Sequence, residues 1–274
     1  MDNFADDVAG SSTHVAGRSS KIGLIVPSSN TTMETELPEL FRRQSAATGH
    51  RYTFHSARAK LRNVTVEELA AMVDKAAECA IAVSDADVDV IAYACLVAVM
   101  AQGPGAHEGS EAVMARAAAD NGHPAPVTSS AGALVRTLQE LGAHRAAMVA
   151  PYMPDLTRLV SGYIEGAGIA VQDVIGLGVA DNLEVGRLDT RELPGLARRL
   201  DSDGVDAIVL SACVQMPSLD AVQQVEYELG VPVVTAATTT AYEILRALGH
   251  EPAMWGAGRL LAGRSTVDAP APVA

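Results

Sequence analysis

Two segments of this chain end in the same way, and they restrict its fold more than any other feature. Val88-Asp-Val-Ile-Ala-Tyr-Ala-Cys95 and Val205-Asp-Ala-Ile-Val-Leu-Ser-Ala-Cys213 each open on Val-Asp, run through a short apolar stretch and stop at a cysteine. Short, continuous apolar runs rich in Val and Ile mark strands buried on both faces, because helices on either side of a parallel sheet leave no face for water. Two such strands, each delivering a thiol at its carboxyl end, predict one site built from two related halves.

The rest of the chain repeats the plan. Lys21-Ile-Gly-Leu-Ile-Val-Pro27 and Arg145-Ala-Ala-Met-Val-Ala-Pro151 are offset by 124 residues, and the two cysteines by 118. Similar offsets over this distance point to a duplicated βαβαβ-type unit. The fold class expected is therefore α/β, with two pseudo-symmetric parallel-sheet halves over residues 21–128 and 129–250 and the last helix packing back onto the first half. Residues 1–20, polar and without periodicity, read as a leader outside the fold, and 251–274 as an extension with a loose tail.

Strands are expected at 21–26, 52–59, 88–94, 125–128, 145–150, 169–175, 205–212 and 231–235. Helices are expected at 33–41, 65–84, 110–121, 129–142, 154–165, 190–200, 218–229 and 238–248. Thr65-Val-Glu-Glu68 has the spacing of a capping box, and Gly142 stands where a helix is closed by a glycine. Ligands of such sheets bind at the carboxyl ends of the strands, in the crevice between the halves.

Composition narrows the function. A formal net charge of −13 offers no basic stripe for phosphates, so no nucleic-acid partner is expected. A hydrophobic content of 49% with only 4% aromatic residues describes a core of Val, Ala, Leu and Ile. No apolar run reaches the roughly 18 residues of a membrane helix, so no membrane partner is expected. Three cysteines, Cys79, Cys95 and Cys213, are too few and too far apart for a disulfide framework or a zinc site, and no metal is expected. A reducing cytoplasm suits them.

Cys79 sits mid-helix among Ala, Ile and Val, where cysteine is a small buried hydrophobe. Cys95 and Cys213 instead lie past the last apolar residue of a strand, where amides of a following helix would stabilise a thiolate and lower its pKa. Asn30 and Asn182 lie in loops at strand ends, where asparagine serves either as a cap or as a donor to a ligand. Tyr152 follows Pro151 at the matching strand end of the second half, so its hydroxyl is a further candidate. Gly176-Leu-Gly178 lacks the third glycine of a dinucleotide fingerprint, and His55, His107, His123 and His144 have no recognisable triad partner.

At these residues the chain resembles the aspartate/glutamate racemase superfamily, whose two pseudo-symmetric halves carry one cysteine each. Pro27-Ser-Ser-Asn-Thr-Thr-Met-Glu34, Ala94-Cys-Leu-Val-Ala98 and Ser211-Ala-Cys-Val-Gln-Met-Pro217 are similar, within it, to the maleate cis–trans isomerase family. The likeness spans about Lys21 to His250. It implies a cofactor-free, homodimeric enzyme that turns maleate into fumarate, with Cys95 as nucleophile, ionised at the start, and Cys213 as its protonated acid/base partner. It further implies that Asn30, Tyr152 and Asn182 bind the carboxylates of the small diacid, with backbone amides around Leu96, Val97, Val214 and Gln215 completing the anion sites. The alternative enzyme is an amino-acid or hydantoin racemase that uses the two cysteines as a proton-transfer pair. A two-lobed ligand-binding protein shares the crevice but gives no reason for a thiol in each half.

Overall fold

The alternating βα pattern folds into two parallel four-stranded sheets of identical order. The computed structural model describes residues 19–61 and 65–263. In the first half β1 (Ser20–Pro27), α1 (Met33–Thr48), β2 (Tyr52–Ala59), α2 (Val66–Ser84), β3 (Val90–Tyr93), α3 (Leu96–Met100), α4 (Ala106–Asp120), β4 (Val127–Ser129) and α5 (Ser130–Glu140) follow in turn. The second half runs β5 (Arg145–Ala150), α6 (Pro154–Gly166), β6 (Ala170–Gly176), α7 (Asn182–Val185), a 3-10 turn (Thr190–Glu192), α8 (Leu193–Ala197), β7 (Ala207–Ser211), α9 (Leu219–Leu229), β8 (Val233–Thr235) and α10 (Ala236–Ala247). The orders β2-β1-β3-β4 and β6-β5-β7-β8 superpose element by element, as the internal offsets require. Among the described residues no helix is long and apolar enough to cross a membrane.

The two Val-Asp pairs have a local purpose. Asp89 accepts a hydrogen bond from the backbone N–H of Lys21 (2.8 Å), and Asp206 accepts from the N–H groups of His144 and Arg145 (2.8 Å each). Each aspartate clips the start of the central strand beside it, at the end of the sheet remote from the cysteines. Between Asp and Cys the second copy carries one residue more than the first. The structure absorbs it in a register shift between Val209 and Ser211 where β7 pairs with β8, so Tyr93↔Ser129 and Ser211↔Thr235 become equivalent pairs. Bulges of this kind re-aim the side chains that follow them. Both cysteines consequently emerge two residues past their strands.

Both strands that end in a cysteine are wholly buried. Ser129 caps α5 by accepting from the Gly132 N–H, and Thr235 caps α10 through a reciprocal capping box with Thr238. The first expected capping box is present in its forward half, Thr65 accepting from the Glu68 N–H. α10 packs against α5, α1 and β3, so the last helix does return to the first half.

Several elements depart from the sequence reading, among them α7, a helical turn begun at Asn182 where a loop is expected. α1 continues past Phe41 to Thr48, because Gln44 is fully buried and has partners far along the chain. Its side chain donates to the Glu251 carbonyl (2.8 Å) and accepts from the Ala253 N–H (2.7 Å). Residues 251–263, the first part of the expected extension, form a strap with Met254, Ala257 and Leu261 buried; the expected loose tail from Asp268 lies outside the described residues. Finally, the apolar run beyond Cys95 coils into the separate short helix α3.

Candidate active site

Five loops at the carboxyl ends of the strands, those after β1, β3, β5, β6 and β7, meet at the junction of the halves. Cys95 is the N-cap residue of α3 and has an extended backbone, and the Ala98 amide of that helix acts on its sulfur. Cys213 stands at the equivalent place after β7. Both are buried, at 1% and 4% exposure, and both are free thiols. They lie close enough for the charge of one to act on the other. Tyr152, buried after β5, hydrogen-bonds to Cys213 and feels the charge of both sulfurs. The structure thus unites the two cysteines and the tyrosine picked out from sequence.

The electrostatics differ from the sequence expectation of a lowered thiol pKa. Burial pushes the Cys95 thiol up to about 12, against the pull of the Ala98 amide, and proximity to Cys213 adds to the rise. Burial raises Cys213 as well, opposed by the Tyr152 hydroxyl and the amides of Gln215 and Met216. The Gln215 N–H points at the Cys213 sulfur from 3.3 Å. A few backbone donors do not repay the loss of water around a charged sulfur. Burial thus works against the ionised resting state expected of Cys95.

The amide side chains brace the site as well as line it. Asn30 caps α1 through Oδ1, which accepts from the Thr32 and Met33 N–H groups (3.1 and 3.0 Å), and its Nδ2 donates to the Val214 carbonyl (2.9 Å). Asn182, the first residue of α7, donates from Nδ2 to the Ser29 hydroxyl (2.8 Å). Each Nδ2 carries a second proton beyond these bonds. Leu96 and Val97 open α3 and are buried beside Cys95.

Sequence reasoning missed the Gln215 side chain. Its Oε1 accepts from the Thr31 N–H (2.9 Å), while Nε2 donates to the carbonyls of Asn182 (2.9 Å) and Ser29 (3.2 Å). Thr32 Oγ1 donates to the Gln215 carbonyl (2.7 Å). The loops after β1, β6 and β7 are thereby tied into one unit across the two halves. The dense run of hydroxyl and amide residues in Pro27–Thr32 was its only sequence signal. His107, by contrast, bonds the Tyr163 hydroxyl at 2.6 Å, in a cavity of about 290 Å³ lined by Glu108, Arg136 and Gln139.

Duplicated α/β halves that bring one buried thiol each to a shared crevice define a racemase-like two-cysteine protein. The chain belongs to the arylmalonate decarboxylase family, whose model matches residues 22–261, and within it to the maleate isomerases. It is 52% identical over 245 residues to the maleate isomerase of Geobacillus stearothermophilus, covering 89% of this chain and 98% of the relative. A mutant maleate isomerase Iso from Pseudomonas putida S16, solved with maleate, is 45% identical, with a TM-score of 0.89 over 90% of this chain and 99% of that one. A cysteine-to-serine mutant of the Nocardia farcinica maleate cis–trans isomerase, solved with a covalently bound succinylcysteine intermediate, is 48% identical. It matches with a TM-score of 0.85 over 89% of this chain and 98% of that one.

Proposed function

We propose that this chain is a maleate cis–trans isomerase that works without a cofactor, with Cys95 as nucleophile and Cys213 as acid/base. The observation that carries the reading is the meeting of two buried thiols, one from each half, with the Tyr152 hydroxyl against the second. The succinylcysteine found on the Nocardia farcinica relative supports the covalent route, and the maleate held by the Pseudomonas putida relative supports the substrate.

The chemistry follows from the double bond. Rotation about it is forbidden at useful thermal rates, so it must become single. Cys95 first gives its proton to solvent, and its thiolate adds to C2; the π electrons move toward C3 and its carboxylate, and C3 takes the Cys213 proton. The product is a succinyl thioether on Cys95 and a thiolate at Cys213. After rotation about C2–C3, Cys213 recovers a proton from C3, the carbon–sulfur bond breaks and fumarate leaves. Neutral donors serve the two carboxylates: the side chains of Asn30, Tyr152 and Asn182 and the amides of Leu96, Val97, Val214 and Gln215. Fixed dipoles in a dry site stabilise the charge developing on the C3 carboxylate more than water would.

Free thiols in this number fit a reducing cytoplasm, and the family likeness supports a homodimer, which light scattering tests. The decisive assay for the activity is fumarate formation from maleate with neither cofactor nor metal added, before and after thiol alkylation. Mass spectrometry of the substrate-treated protein separates the covalent route from racemase-type proton shuttling, because only the former leaves a succinyl adduct on Cys95.

A further inference from the structure

The loop carrying Cys213 runs directly into α9, yet the Ser218 side chain does not cap that helix. The acceptor comes from the other half. Glu36, in the first turn of α1, places Oε1 at 2.6 Å from the Ser218 N–H and 2.8 Å from the Leu219 N–H. Glu36 is buried, and its Oε2 has no hydrogen-bond partner among the described residues. Two amides at a helix start held by one carboxyl oxygen make a short anchor. It fixes the chain just beyond Cys213, as Asn30 and Gln215 fix it just after that thiol.

We propose that Glu36 is a positioning residue for Cys213, holding the second thiol in register from the opposite half of the molecule. The inference rests on the acid/base reading of Cys213. The charged neighbour facing Glu36 from α9 is Asp220, which adds to the upward push that burial gives this carboxyl. On its own helix Glu34 pairs with Arg58, and Glu39 with Arg42 and Arg43.

The test compares Glu36→Ala with Glu36→Gln, which keeps the acceptor oxygen. In Glu36→Ala, kcat falls at least about tenfold with KM within about threefold, a split that marks lost alignment more than lost binding. Iodoacetamide then modifies Cys213 at least about tenfold faster, mapped by peptide mass, while Cys95 changes less than about threefold. Glu36→Gln restores both readouts. Cys213 alkylation unchanged in Glu36→Ala overturns the inference. So does a tenfold loss of kcat in a folded Glu36→Gln chain, which decides the matter if the alanine variant does not fold. The alkylation readout needs no turnover, so a wild-type protein inert toward maleate defeats the proposed function while this inference is still judged.

Discussion

Cys95 is enclosed by apolar residues and the first amides of α3, and that enclosure sets the pH behaviour of the site. With the thiol raised to about 12, the thiolate fraction at neutral pH is small and grows about tenfold per pH unit. The maleate isomerisation rate is therefore expected to climb from pH 6 to pH 9, together with the alkylation rate of Cys95. A profile flat below pH 8 would mean that another group removes the Cys95 proton. Cys95→Ala leaves no sulfur able to form the thioether, so turnover falls by several orders of magnitude and the substrate-dependent mass shift disappears. Glu36 is raised as well, and its shift bears on stability. Its carboxyl is raised from 4.5 to about 7, mainly by burial, so the folded chain binds that proton more tightly than the unfolded chain. The stability gained is complete below about pH 4.5 and is lost as pH rises through 7. Glu36→Gln, neutral throughout, should gain on the order of 3 kcal/mol over the wild type between pH 4.5 and pH 8, measured by urea unfolding at both pH values.

At the level of elements, the strands and most helices were legible because burial on both faces and helix caps are local signals. Tyr52–Ala59 and Arg145–Ala150 have the bounds that their residues predict. The length of α1 was not legible, since its last turns are polar and Gln44 is held by residues 207 and 209 positions further on; the bounds of α3 were no clearer, because its Leu-Val-Ala-Val-Met also suits a strand. The site divided in the same way. Its thiols, Asn30, Tyr152 and Asn182 stand at strand ends and could be named, but the Gln215 clasp and the Glu36 anchor join residues more than 180 positions apart. The loop beside Gln215 has no slack. A Cβ added at Gly186 would lie 2.6 Å from Gln215 Nε2 and 2.9 Å from Thr31 Oγ1, although its backbone φ of −68° suits any residue. Gly186→Ala should accordingly push the clasp and lower kcat about tenfold or more, with a loss of thermal stability of only a few degrees. Unchanged kinetics would show that the three loops tolerate the displacement.

For the whole molecule the question is whether two duplicated halves behave as two bodies or one. Several connections argue for one. α10 belongs by sequence to the second half but packs on α1, α5 and β3 of the first. The loops after β1 and β7 interlock through Asn30, Thr31 and Thr32. The strap then crosses back. It leaves Gln44 of α1 and reaches α9, where the Arg259 N–H donates to Glu226 (2.7 Å), whose other oxygen accepts from the Val233 N–H at 3.0 Å. Separating the halves would expose apolar faces and strip partners from buried Gln44 and Glu226 together, so no intermediate with one half open gains enough chain entropy to be populated. The single tryptophan, Trp255, sits on the strap with the Arg43 guanidinium 5.9 Å from its ring. It reports a segment that touches both halves. Urea unfolding followed by Trp255 fluorescence should therefore share its midpoint with far-UV circular dichroism, which reports helices of both halves. A fluorescence midpoint lower than the dichroism midpoint would mean that the strap peels away first and the two sheets are held by their loops alone.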